Sequence, residues 1–277
     1  MGACLDVTFK HNKNTAQPMY VSNYQIQKVA ALARDQAGLG NRNRVAVDDL
    51  LAISDIQANG RRYAVEWSVD GPVTNENGEP VLGLCEYDPE GLPNTALIFA
   101  NPDAVADHPE LMISTLAHEL GHGIFDVPAW IVASETSVLP GLLGPVRGQK
   151  FRRETPNERH ISLGGAIKRQ APDFPEWRAN EFMGSFLVPE ALLAPVFRDI
   201  ADSLRLPLQL DSGSPCLVPN ATSDRPRLAP GRHGCALTLK IAALVQALAA
   251  EFGVSRRFME VRLLRYGYVD DAQLASI

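Results

Sequence analysis

Cysteine is scarce, with four residues in a chain of 277. That is too few for a disulfide-built scaffold, and the close Cys pairs of a structural zinc site are missing as well. Cys4 and Cys85 are isolated, while Cys216 and Cys235 flank one loop-rich segment near His233. Unpaired thiols of this kind fit a reducing, cytoplasmic setting. No stretch of about 18 apolar residues occurs, so no membrane span is expected. The first ten residues turn polar by Asp6, which argues against a signal peptide. Met1-Gly2 opens like a myristoylation signal, but Asp6 stands where Ser or Thr is needed. Excess positive charge is also lacking. The formal net charge of −6 provides no general attraction to nucleic acid or an anionic membrane, so direct nucleic-acid binding is not expected. No internal repeat is visible.

What remains is an ordinary globular balance, 45% hydrophobic and 21% charged, long enough to bury a sizeable core. Residues 22–37 read as a helix capped by Ser22, with an apolar stripe of Ile26, Val29, Ala30 and Ala33 and a stop at Gly38. Residues 48–56 read as a second, shorter helix. The period then changes. In residues 62–69, Tyr63, Val65, Trp67 and Val69 alternate onto one face, and residues 81–87 and 95–100 look like further strands of a small sheet, antiparallel in part. Asp107 and Glu110 have capping-box spacing around Pro109 and open a helix. Residues 126–172 and 206–234 are rich in Pro and Gly and read as excursions with little regular structure. Between them Asp173, Pro175 and Glu176 open a helix that Pro189 must stop. Two closing helices, 237–252 and 255–266, meet at Gly253. The expected organisation is a domain over 1–200 with the 126–172 insertion, an excursion over 201–235, and a helix pair over 236–277 packing on the first domain.

The chemistry lies in His118-Glu119-Leu120-Gly121-His122. Residues four apart on a helix lie about 40° apart around the axis, so His118 and His122 share a face and can hold one metal ion. Glu119 lies beside both without aligning with either, so it can reach a water next to the ion without being a ligand. Leu116, Leu120 and Ile124 supply the buried stripe, and Gly121 leaves room for close packing. A catalytic zinc needs a third protein ligand and an open fourth position. The metzincin spacing would place Gly and His where Phe125 and Pro128 stand, so that class is excluded. Asp126, Glu135, His160, Glu176 and Glu181 remain as candidates. Glu176 stands out because it shares a helix face with Asn180, which could then hydrogen-bond a ligand histidine from behind. On spacing alone, Glu176 is equally well read as a helix-capping glutamate next to Asp173.

His118-Glu119-Leu120-Gly121-His122, followed by Glu176-Trp177-Arg178-Ala179-Asn180-Glu181-Phe182 and Phe186-Leu187-Val188-Pro189, resembles the ImmA/IrrE family of metallopeptidases. That family shows a HE-[IL]-GH helix and then a helix of the form E-x-x-A-N-x-F-A-x-x-L-L-M-P. Ala179, Asn180, Phe182, Leu187 and Pro189 fall on the pattern, while Met183, Phe186 and Val188 depart mildly from it. Ala250 to Ser255, Arg262-Leu263 and Tyr266-Gly267 resemble the family's closing helices. The resemblance implies an α+β, zincin-like fold with a small twisted sheet, an HExxH helix and a C-terminal helical bundle. It also implies Zn2+ held by His118, His122 and Glu176, with Glu119 as general base and Asn180 behind the ligands. The implied protein is a bacterial cytoplasmic endopeptidase acting on a protein substrate, of which a DNA-binding repressor or antitoxin-type stress regulator is one candidate. The substrate would lie along residues 81–87 or 95–100. Two departures concern the substrate side. Residues 123–175 make a longer separation than the family's, and Asp126 stands where many members carry a third histidine. Because both ends of the insertion are pinned near the ion, it is expected to border the cleft.

The sequence leaves open which group would stabilise an oxyanion; His160 and His233 are candidates. Two rival functions arise from the residues. Residues 245–267 have helix–turn–helix character, with Arg256, Arg257, Arg262 and Arg265, although Phe252, Val254, Phe258, Val261 and Leu264 are better spent on packing. Arg147, Lys150, Arg152, Arg153 and Arg159 could dock an acidic partner, although Glu154 and Glu158 interrupt them and favour a solvated loop.

Overall fold

The structure, a computed structural model, describes residues 2–106, 108–136, 150–156, 173–211, 225–229 and 235–275. These form two compact units. The first is built from the chain up to Phe186 without Asn41–Arg44; the second holds Asn41–Arg44 and the chain from Leu187 onward.

In the first unit β1 (Ala3–Val7), α1 (Asn23–Gln36), α2 (Val47–Leu51), β2 (Ile53–Ala58), β3 (Arg61–Ser68), β4 (Val81–Tyr87) and β5 (Thr95–Ala100) precede the long α3 (Pro109–Phe125). After it come α4 (Val127–Thr136), β6 (Phe151–Pro156) and α5 (Phe174–Leu187). The fold is mixed α+β around a six-stranded sheet of order β1-β2-β3-β5-β4-β6. The β1–β2 and β3–β5 pairs are parallel and the other three antiparallel.

Several elements follow from local chemistry. Ser22 accepts the Gln25 N–H and the Gln25 side chain returns to the Ser22 N–H, a complete capping box for α1. Pro109 occupies the first turn of α3, where its missing N–H costs no bond. The residue before it, His108, stands at the N-cap without a side-chain cap bond, and the expected cap Asp107 lies outside the described residues. At the end of β5, buried Asn101 donates to the Val73 and Val81 carbonyls and accepts from the Asp103 and Ala104 N–H groups, tying the turn to β4.

Two expectations need correction, and one element was not expected. Residues 48–56 do not form one helix: α2 ends at Leu51 and β2 begins at Ile53, because Ile53, Ile56 and Ala58 are drawn into the sheet core. The N-terminal segment, to which no element was assigned, forms strand β1, whose Leu5 and Val7 are buried. The insertion after α3 is not irregular throughout, since it yields α4 and the edge strand β6.

Between Ile113 and Phe125 every residue of α3 is buried. One side lies on β4 and β5, and Tyr63 of β3 donates to the Gly123 carbonyl at 2.8 Å. The other side meets α5 at Gly121, where an added Cβ would stand 3.0 Å from the Ala179 Cα and 3.3 Å from its carbonyl oxygen. The glycine therefore sets how closely the two helices approach. Buried Arg34 of α1 secures the far end of α5 by donating to the Phe186 carbonyl, and it also bonds the Leu39 carbonyl at 3.1 Å.

The second unit contains α6 (Glu190–Ser203), the antiparallel pair β7 (Leu208–Asp211) and β8 (Arg225–Leu228), α7 (Cys235–Phe252), α8 (Arg256–Tyr266) and α9 (Asp271–Leu274). Ser255 caps α8 by accepting the Phe258 N–H, and Gly267 closes it in the left-handed region at φ 75°. Phe258, Met259 and Leu263 form its buried stripe, whereas Val261 and Leu264, expected inside, are half-buried. Arg256 and Arg257 both bond Glu260, and buried Arg262 lies over the Tyr266 ring at 4.2 Å. The α7 and α8 axes bend by 104° at their junction, and no single helix among the described residues is long and apolar enough to cross a membrane.

Gly121→Ala should force the α3–α5 interface apart. The expected loss is about 1–3 kcal/mol of unfolding free energy by urea titration, together with weaker metal binding, because Glu176 rides on α5.

Candidate metal centre

Between Ser114 and Asp126, α3 buries Glu119, two histidines and a carboxylate in a run that only tertiary partners can make tolerable. His118, His122 and Asp126 stack at successive intervals of four along one face. The Nε2 atoms of His118 and His122 stand 3.1 Å apart. Glu176, from the first turn of α5, brings Oε2 to 3.4 Å from His118 Nε2 and Oε1 to 3.2 Å from His122 Nε2. Ligand atoms at zinc bond lengths of about 2.0–2.2 Å lie about 3.3–3.6 Å apart on a tetrahedron. The spacings of 3.1–3.4 Å, with one Glu176 oxygen to each histidine, are close to that range, and this trio is a group that could hold a metal ion.

Asp126 completes the arrangement. Its Oδ2 lies 2.7 Å from His122 Nδ1 and so accepts that ring's N–H, which directs the Nε2 lone pair at the ion position. Its Oδ1 accepts from Arg178 Nη2 at 2.8 Å, and both residues are buried. Without a metal, these contacts act on the ring strongly. Burial pushes the His122 pKa down, but the Asp126 and Glu176 carboxylates outweigh it and raise the value to about 10. Glu176 moves the opposite way: burial raises it, and the two histidines carry it far below the usual carboxylate range.

Glu119 lies beside this trio and reaches β4 and β6. It is fully buried; its Oε1 accepts the Thr155 hydroxyl, and its Oε2 has no hydrogen-bond partner among the described residues. Room for it comes from Gly83 of β4, where an added Cβ would stand 2.4 Å from Thr115 Cγ2 and 3.0 Å from Glu119 Oε1. Burial raises the Glu119 pKa, and the two histidines and Thr155 offset only part of that rise.

Of the carboxylates open as third ligand, the structure brings in Glu176. Asp126 turns to the back of His122, Glu135 pairs with Arg61 at 2.7 Å, and Glu181 is buried beside Ser185. The capping reading of this stretch is also right in part, since Asp173 accepts the Glu176 N–H at 3.4 Å while the Glu176 side chain faces the histidines. Asn180 is half-buried on α5 with no recorded bond to either histidine, so the backing role expected of it falls to Asp126. His160 and His233 lie outside the described residues. Sequence reasoning did not find Arg178, Thr155 or Gly83. Only the i,i+4 spacing of His122 and Asp126 was a signal for the first of these contacts; nothing local marks a strand hydroxyl that reaches Glu119 from across the sheet. Cys4 and Cys85 are free thiols.

Three outcomes follow. Asp126→Asn should keep the fold yet weaken zinc binding about 10–100-fold, as read by competition with a chromogenic chelator. The raised His122 pKa means that the metal-free protein draws stability from protonated His122. That contribution is complete below 6.5, the ordinary value, and is lost as pH rises through about 10. Metal-free unfolding free energy should therefore fall across that window, and zinc should remove the trend. Calorimetry in buffers of different ionisation enthalpy should show a proton released from His122 on zinc uptake near neutral pH. Comparison with known proteins supplies no relative: no protein-family model, curated protein or solved structure matches the chain.

Proposed function

We propose that the chain is a zinc-dependent endopeptidase of ImmA/IrrE type, with a zincin-like first unit. The observation that carries this reading is the closure of His118, His122 and Glu176 on one point with the unligated Glu119 carboxylate buried next to them. Two nitrogens and one carboxylate oxygen make a three-ligand set that leaves a fourth position for water or substrate, as in catalytic rather than structural zinc sites. An ion held there by His118, His122 and Glu176 would supply Lewis acidity for a peptide carbonyl and for water at neutral pH.

The protein's own groups divide the remaining work. His118 and His122 offer Nε2 lone pairs, and Asp126, held by Arg178, keeps the second ring in the required tautomer. Glu119 is the general base: with Oε1 occupied by Thr155, its unpartnered Oε2 takes the proton from the attacking water and passes it to the leaving amine. Its burial and raised pKa suit a group that must accept a proton and then return it. By the resemblance, the substrate is a protein, with repressors and antitoxin-type regulators first among the candidates. The alternative of a DNA-binding regulator has less support, since Arg256 and Arg257 are engaged by Glu260 and Arg262 is buried.

Glu119→Gln tests the reading. The variant should bind zinc with wild-type stoichiometry, melt like the parent, and lose hydrolysis by at least about 100-fold, as expected on removing a general base. Wild-type turnover in this variant would remove Glu119 from the mechanism, and loss of the metal would make it a ligand.

A further inference from the structure

Neither β4 nor β5, the strands expected to receive a substrate, has a free edge: β5 lies between β3 and β4, and β4 between β5 and β6. The edge of β4 nearest the metal helix is covered by the chain's own residues 150–156. They run antiparallel to β4, with Phe151 opposite Tyr87, Arg152 opposite Glu86 and Thr155 opposite Gly83. Thr155 thereby places its hydroxyl on Glu119 over the one β4 residue that has no side chain. With β6 in place, Glu119 has no exposed surface, and Thr155 of this strand holds one of its two carboxylate oxygens.

The contacts that hold β6 are specific in chemistry. Glu86 is buried, and both its oxygens are taken by cations of this strand, Oε1 by Lys150 at 2.9 Å and Oε2 by Arg152 at 2.9 Å. Lys150 also reaches Asp88 at 3.2 Å. Between the two cations, Phe151 stacks on Trp130 of α4, with centroids 6.3 Å apart and planes at 19°, and meets Tyr87 at 6.1 Å. A buried carboxylate stripped of its cations is strongly destabilising. Any strand that replaces β6 must therefore bring cations to Glu86 and a ring to Trp130.

Taking β4 as the substrate edge that the resemblance implies, we propose that β6 is a built-in stand-in occupying it, displaced by an extended segment of a protein substrate that carries an aromatic residue between two cationic ones. The inference rests on reading Glu119 as the catalytic base. Main-chain bonds to β4 supply affinity, and the Glu86–Asp88 and Trp130–Tyr87 positions select side chains. The third residue beyond the second cation then lies against Glu119, where Thr155 lies now.

The test uses the full zinc-loaded chain carrying Glu119→Gln, so that no probe is cut. The probe is a capped peptide with the sequence of residues 150–156, and the control replaces its Lys and Arg residues by Glu. A tethered strand competes at an effective concentration on the order of millimolar. Millimolar peptide should accordingly speed amide exchange in β6 while β3 and β5 stay protected, and the acidic control should not. With Lys150→Ala and Arg152→Ala together, fluorescence anisotropy should show the labelled peptide binding at least about tenfold tighter, because its internal competitor is weakened. Unchanged β6 exchange in the unsubstituted strand, or equal displacement by the acidic control, overturns the proposal whether or not the double variant folds. These readouts do not involve hydrolysis. Peptide displacement in a protein that cuts nothing would uphold the docking edge and discard the peptidase, whereas protein cleavage without displacement would do the reverse.

Discussion

The carboxylate of Asp126 joins the two helices that make this site. One oxygen fixes the His122 ring, and the other holds the Arg178 guanidinium, all away from solvent. A charge buried at that depth is tolerated only when paired and hydrogen-bonded. The same pairing that makes α3 and α5 compatible therefore also aims a metal ligand. Gly121 and Ala179 allow the helices to approach, and the Asp126–Arg178 bridge sets their register, so that Glu176 arrives within 3.4 Å of both histidines.

Beside the histidines, α3 also presents Glu119 to the sheet. Two acidic groups near one site thus sit in different surroundings. Glu176 lies among cationic or metal-facing partners that favour its charged form, and Glu119 lies in a dry setting that favours a proton. Two glutamates of one residue type are set apart by their surroundings alone, which suits the proposed roles of ligand and base. Gly83 is part of this arrangement, because any side chain there would run into Thr115 and the Glu119 carboxylate.

The insertion after α3 changes how the site meets its surroundings. Its α4 extends the aromatic surface with Trp130, and its β6 adds an edge strand to the sheet next to β4. Of the basic residues of this stretch, Arg147 and Arg159 lie outside the described residues, and the others are not a solvated loop. Lys150 and Arg152 satisfy Glu86, and Arg153 lies 3.6 Å from Asp173 at the start of α5. These three cationic groups are engaged within the first unit.

What the sequence by itself determined was local and periodic. The i,i+4 histidines, the buried stripe of Leu116, Leu120 and Ile124, the Ser22 capping box, the Pro109 start and the alternation of Tyr63 and Val65 each depend on residues within a turn or two of one another, where helix and strand geometry dictates the outcome. Glu176 was legible only as a candidate, because nothing within its own helix distinguishes a cap from a ligand. Tertiary structure placed its carboxylate against both histidines, and it also decided the conversion of residues 53–58 into strand, the contact of Asp126 rather than Asn180 with His122, and the approach of Thr155 to Glu119. Each of these joins groups far apart in the chain, and each is driven by the need to satisfy a buried polar group or to complete a sheet. Those requirements exist only once the chain has packed and water has been excluded.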